Sequence, residues 1–220
     1  MGSLALTHMI PLDELTPGAV GFIRNSVIDN VVAFAARELN LEPGNLVVRD
    51  VRPFTDLSMY AAGTTASTVD EWLYDATTTT ASAFTSVTGP ATMGDNRYVA
   101  LFGVRDLRLG IGLHTTAMTL MDGTGSLLFG SATASGAAIK PGQVISLIKI
   151  AVGGSDKAIW DTTCFEGYQN LTGFSPSAVI IPQNATFNIS YYFKSTVAGV
   201  RANIQLVGVT VEPRGKVLSP

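Results

Sequence analysis

Few side chains in this 220-residue sequence could carry acid–base, nucleophilic or metal chemistry, and fewer still are spaced for it. There are two histidines, His8 and His114, and one cysteine, Cys164. No His-x-x-His or Cys-x-x-Cys pairing exists, so the ligand spacing of a zinc site is missing. His114 follows Gly112-Leu113 at a strand end and reads as a turn histidine. Cys164 sits between Thr163 and Phe165 in a strand and reads as a buried, inert thiol; a nucleophile would need a histidine or a helix N-terminus beside it. Asp156, Asp161 and Glu166 put three carboxylates into one strand–loop region. Two of them could cleave a glycoside if they faced each other across the sugar. Asp70, Glu71 and Asp75 offer oxygen ligands of the kind calcium takes, but without the ligand spacing and turn glycine of an EF-hand. Both groups read first as solvated acidic edges and turns. Gly110-Ile-Gly112 lacks a third glycine and a following helix, Gly130 to Lys140 lacks a Gly-Lys-Ser/Thr ending, and no Gly-x-Ser-x-Gly elbow occurs. We therefore expect no catalytic residues, no cofactor, no metal and no enzymatic activity.

Composition points in another direction. Hydrophobic residues make up 46% and charged residues only 14% of the chain, against roughly 25% charged in ordinary domains. A chain so short of charge is suited to an assembly in which many faces become interfaces. The net charge is −3 and no Lys/Arg run occurs, so no direct nucleic-acid binding is expected. A single cysteine excludes an internal disulfide and suits synthesis in a reducing cytoplasm. No apolar run reaches the roughly 18 residues of a membrane span, and the first residues do not read as a signal peptide. Asn170, Asn184 and Asn188 each open an Asn-x-Ser/Thr triplet, which chance explains in so Thr/Ser-rich a chain.

The elements that would position any site follow from periodicity. Residues 1–16 form an extended arm whose Leu4, Leu6, Met9, Ile10 and Leu12 suggest a tie to a neighbouring subunit. Residues 17–40 form an amphipathic helix. Thr16 caps it, Pro17 takes the first helical position and Asn40 the left-handed end. Val27, Ile28, Val31, Val32, Ala35 and Leu39 make its apolar stripe, opposite Arg24, Asn25, Asp29 and Arg37, and packing on a sheet suits it better than lying on a membrane. Leu46–Val51 reads as a short strand ended by Pro53, and Thr55–Thr92 as a Thr-rich excursion. Strands then follow at Arg97–Leu113 (one, or two broken near Gly103 and Gly110), Thr115–Met121 and Ser126–Phe129 about an Asp122-Gly123 turn, Gln143–Val152, and Ala158–Phe165. Glu166–Ser177 reads as a loop. Ala178–Ile181 stops at Pro182. Phe187, Ile189, Tyr191 and Phe193 alternate with polar residues, and Val200 to Leu206 alternate likewise. From Val207 the pattern is that of a strand covered on both sides, with Gly208 a bulge or close approach. The last two strands read as an antiparallel pair. Trp72, Tyr74, Trp160, Tyr168, Tyr191 and Tyr192 could anchor either core or interface. The fold expected is mainly β: an antiparallel β-sandwich of jelly-roll type over residues 96–220, preceded by the arm, helix and Thr-rich excursion of residues 1–95, or one continuous domain.

The stretch IIPQNATFNISYYF, a turn, and VRANIQLVGVTVEPRG resembles the closing strands of viral jelly-roll coat proteins, those of tail-less icosahedral bacterial viruses and their archaeal relatives. Ile181-Pro182, Phe187 to Phe193 and Val200 to Pro213 carry the resemblance. It implies a capsid protein that self-assembles into an icosahedral shell. Its partners would be copies of itself and other virion shell proteins, and it would reside in the virion after synthesis in the host cytoplasm. The chain has room for one barrel only, so a major coat, vertex or minor shell protein all fit, and membrane contact stays open. Two other classes compete: a carbohydrate- or receptor-binding β-sandwich module of a phage tail or spike, and a hydrolase using Asp156, Asp161 or Glu166.

Overall fold

The computed structural model describes residues 6–61, 72–75, 91–111, 131–132, 137–138, 145–163, 172–193 and 200–216. The chain is mainly β, with 52% of it in strands. Helix α1, Pro17–Leu39, begins and ends where the sequence predicts. The Ala19 N–H donates to Thr16 Oγ1 at 3.2 Å, Pro17 takes the first turn, and Asn40 at φ 52° closes the helix. Val27, Val31, Ala35 and Ala36 are buried, and Ile28, Val32 and Leu39 pack against the same cluster.

The strands in chain order are β1 (Leu6–His8), β2 (Ile10–Pro11), β3 (Leu46–Ala61), β4 (Trp72–Asp75), β5 (Tyr98–Ile111), β6 (Ser131–Ala132) and β7 (Ala137–Ala138). They continue with β8 (Ile145–Val152), β9 (Ser155–Asp161), β10 (Gly173–Ile181), β11 (Phe187–Phe193) and β12 (Val200–Pro213). Sheet A has the order β1-β9-β8-β11-β4 and sheet B the order β2-β10-β5-β12-β3, while β6 and β7 pair alone. Four antiparallel pairings are nested along the chain: β8 with β9, β5 with β10, β4 with β11 and β3 with β12. Strands drawn from both sides of residue 95 thus share each sheet. Val152 and Ser155 pair across a two-residue turn in which Gly153 (φ 59°) and Gly154 (φ 75°) both take the left-handed conformation that such a hairpin requires.

Sheet B is covered on both faces. Tyr98, Ala100 and Phe102 of β5 join Val209 and Val211 of β12 in the cluster beneath α1. The intervening Val99, Leu101 and Thr210, which point the other way, are buried too. In sheet A the buried apolar side chains alternate: Ile148 and Ile150 of β8, Ala158 and Trp160 of β9, and Phe187, Ile189 and Tyr191 of β11, while Asp161 and Ser190 beside them are buried too.

Several expectations need correction. The strands β11 and β12 are not a pair. The former lies between β8 and β4 in sheet A, the latter between β5 and β3 in sheet B. Alternation identifies the buried face of each strand but carries no information about its neighbour, so the 194–199 connection was free to cross between sheets. Pro53 does not end a strand, because β3 runs through it to Ala61. There β3 is the edge of sheet B, and its register slips between the Val51–Gly208 and Phe54–Leu206 pairs. A bulge on an edge is where the missing N–H of proline is tolerated. Similarly, the loop expected over Glu166–Ser177 ends early, since β10 starts at Gly173 and carries Pro176 in a register break between Phe174 and Val179. The Arg97–Leu113 segment is one strand, unbroken at Gly103. The strand expected at Ala158–Phe165 begins at Ser155 and ends at Asp161. The strands expected at Thr115–Met121 and Ser126–Phe129, and the turn between them, lie outside the described residues.

At Gly103 the reason for a glycine is contact, not a turn. It pairs with Phe174 on one side and Val207 on the other, where both ladders change register. A Cβ at this position would lie 2.7 Å from the Gly173 carbonyl oxygen and 3.0 Å from the Phe174 ring. Relief requires backbone movement in β10, so we expect Gly103→Ala to destabilise the fold by about 1–3 kcal/mol. Gly94→Ala, where nothing lies within 4 Å of the added methyl, should stay within about 0.5 kcal/mol of wild type. Urea midpoints of the two variants check this.

Candidate functional site

Two surfaces gather the side chains that could act on something outside the chain. The first is the N-terminal arm. Leu6, Thr7 and His8 pair in parallel with Ile159, Trp160 and Asp161 of sheet A, and Ile10 and Pro11 pair with Phe174 and Gly173 of sheet B. Only Met9 separates the two, and it is 2% exposed. The Leu12 N–H donates to the Thr172 carbonyl at 2.8 Å. Met9, Ile10 and Leu12, among the residues that suggested a tie to a neighbouring subunit, are thus taken up by their own chain. Leu6 remains 46% exposed, and Leu4 lies outside the described residues.

At the arm's midpoint His8 Nδ1 lies 2.7 Å from Asp161 Oδ2. The other carboxylate oxygen, Oδ1, accepts from the Thr163 N–H at 2.9 Å and from the Thr163 hydroxyl at 2.6 Å. This places together two of the residues singled out by sequence, 153 positions apart. A buried carboxylate orienting an imidazole is half of a general-base arrangement. Here the hydroxyl within reach, Thr163, bonds the carboxylate rather than the imidazole, so the cluster reads as a latch that fixes the arm to the end of β9.

The remaining candidates do not converge with it. Asp156 is exposed and lies 3.9 Å from Lys149 on the neighbouring strand. Glu166, Cys164, His114, Asp70 and Glu71 lie outside the described residues, and Asp75 falls at the end of β4, opposite Ser190. Among the described residues no group of three or more His, Cys, Asp or Glu could hold a metal ion. Of the aromatics, Trp160 and Tyr191 are core residues, 0% and 1% exposed. They fall in one row across sheet A in which Trp160, Ile148, Tyr191 and Tyr74 are successive partners. Trp72 pairs with Tyr192, while Tyr168 lies outside the described residues. The Tyr98 phenol is buried beneath α1, edge-on to Phe34 with centroids 6.0 Å apart. Burial, and secondarily the Glu38 carboxylate, pushes its pKa up, so it stays neutral.

The second surface is the outward side of α1 and the groove it forms with β10. The groove holds about 650 Å³ and is lined by Phe22, Ser26, Phe34 and Arg37 on the helix and by Pro176 and Ile180 on β10. Phe22 is 75% exposed, and the Arg37 guanidinium lies 5.5 Å over the Phe34 ring. By length and composition α1 would suffice to cross a membrane, yet only 22% of its most apolar stretch is buried. Sequence reasoning missed Phe22. The signal was present, since at 100° per residue it falls among Asn25, Asp29 and Arg37, on the side assigned to water.

Compared with models of known protein families and with curated protein sequences, the chain matches none of either.

The latch makes a graded expectation. Asp161→Ala removes the acceptor of three donors from a nearly buried site and should cost about 1–3 kcal/mol. His8→Ala leaves Thr163 to satisfy the carboxylate, and as His8 is 75% exposed its loss should cost less than about 1 kcal/mol. Denaturant titration of both variants checks the order.

Proposed function

We propose that the chain is a non-enzymatic shell subunit of jelly-roll type, which works by assembling with copies of itself into a virus capsid. The observation that carries this reading is the nested pairing. Eight strands, β3, β4, β5, β8, β9, β10, β11 and β12, pair first with last, second with seventh, third with sixth and fourth with fifth. The four pairs then divide into the orders β3-β12-β5-β10 and β4-β11-β8-β9. A long antiparallel hairpin rolled across two sheets would give this order, which supports the jelly-roll reading. Its extra strands β1 and β2 extend both sheets at one end.

Three further features support the reading. The chain is 14% charged, which suits repeated burial of its faces. A large helix face and an exposed Phe22 remain uncovered on the single chain. The closing strands also resemble those of tail-less icosahedral virus coat proteins. Such subunits function through geometry, with modest free energies per contact summed over many symmetric contacts.

Light scattering and negative-stain microscopy of the purified native protein test the proposal. We expect discrete oligomers or closed particles. A monomer of 23.1 kDa that persists at high concentration rejects it.

A further inference from the structure

We propose that the outward face of α1 is a two-fold interface that takes the same helix of a second copy, antiparallel, with Ala33 at the symmetry axis. The inference names a surface for the self-assembly proposed above and rests on that reading. Counted around the helix, Phe22, Ser26, Asp29, Ala33 and Arg37 fall on one side, opposite the buried Val27, Val31 and Ala35, with the buried Ala36 at its margin. All five are exposed.

Charge complementarity selects the partner and the register. Asp29 lies four residues before Ala33 and Arg37 four after it, on one i, i+4 row. An antiparallel copy turned about Ala33 brings Asp29 opposite the second copy's Arg37, and the same pair recurs on the other side of the axis. A parallel copy in register would instead oppose like charges. Among the described residues no cation pairs with Asp29. Ala33 at the crossing point and Ser26 beside it are small enough for close approach of the two helices, within the usual 8–10 Å between axes.

The exposed apolar residues lie outside this helix–helix overlap. Among the described residues, three large hydrophobics are exposed: Leu6, Phe22 and Leu41. Phe22 lies within α1 and Leu41 two residues past its end. With Ala33 on the axis, Phe22 of one copy falls beyond the last helical turn of the other, which ends at Leu39. The two helices overlap over residues 27–39, about 20 Å, and a lattice joins such a short strip to other contacts instead of relying on it alone.

The test uses the full-length chain with Cys164→Ser. Ala33→Cys should form an intermolecular disulfide on mild oxidation, because only residues at a two-fold axis meet their own copies at bonding distance. Asp29→Arg should weaken assembly at least tenfold by sedimentation velocity, and Asp29→Arg combined with Arg37→Asp should restore it. Both results support the interface. If wild type assembles but Ala33→Cys does not cross-link and Asp29→Arg changes nothing, this interface is wrong while the shell reading stands. A monomeric wild type removes both. Flotation of the wild type with phosphatidylcholine vesicles, abolished by Phe22→Asp with assembly unchanged, would instead make this face a lipid contact and overturn the proposal.

Discussion

Sheet B is apolar on both faces, and much of the molecule follows from having to cover both. Val99, Leu101 and Thr210 point to one side and Tyr98, Ala100, Phe102, Val209 and Val211 to the other, all of them buried. A two-sheet protein covers only the inner side. The outer side is the task of α1, whose Val27, Val31 and Ala35 are buried against it. Each such side chain contributes about 1.5–3 kcal/mol on leaving water. The helix is therefore a third layer of the fold, and the cap at Thr16 and the stop at Asn40 set how far it covers β5 and β12.

The edges pose the second constraint, since a rolled pair of sheets that does not close leaves unpaired backbone groups at both ends. At one end the arm answers this with few residues. Strand β1 pairs with the edge of sheet A, β2 with the edge of sheet B, and Met9 fills the space between. The His8–Asp161 contact secures the step from one sheet to the other. At the opposite end β3 is the edge of sheet B, and it carries Pro53 at a bulge. A proline there offers no donor to an incoming strand, which protects an otherwise long edge. The two ends are thus blocked by different means, one by an added strand and the other by a residue that cannot pair.

What the sequence made legible was local. The limits of α1 were written in Thr16, Pro17 and Asn40, the buried face of β11 in its alternation, and the two-sided cover of β12 in its apolar run from Val207. Pairing was not legible, because period two gives a face and leaves the neighbour free; this is why β11 and β12 looked like partners and are not. Pro53 and Pro176 were taken as stops because an isolated proline signals a strand end, whereas a bulge absorbs it. The nested strand order depends on contacts as distant as Leu46 with Pro213, which no local window contains. For the candidate site the result was mixed. His8 and Asp161 were each singled out by type, but their meeting is a product of β1 lying parallel to β9. Phe22 was overlooked because the helix was read as having one apolar face, and Phe22 falls among its exposed polar residues.

The proposed interface would account for the composition of the outer side of α1. A helix that only covers a sheet can carry charge over its whole outer half, as most surface helices do. Here the outer half carries Phe22, Ser26, Asn30 and Ala33, with Asp29 and Arg37 its only charges on the row through Ala33. Such a face, with one aromatic among small, polar and charged side chains, suits a neighbour of complementary, paired charge. The low overall charge of the chain has the same meaning, since the groups that would keep an isolated monomer soluble are missing where contact is proposed. In the proposed assembly the helix would link the inside of one subunit to the outside of the next. Val27, Val31 and Ala35 fix its height and rotation on sheet B, and these in turn fix where Asp29, Ala33 and Arg37 are presented. A substitution in the buried stripe would disturb stability and presentation together, whereas one on the outer row would touch presentation alone.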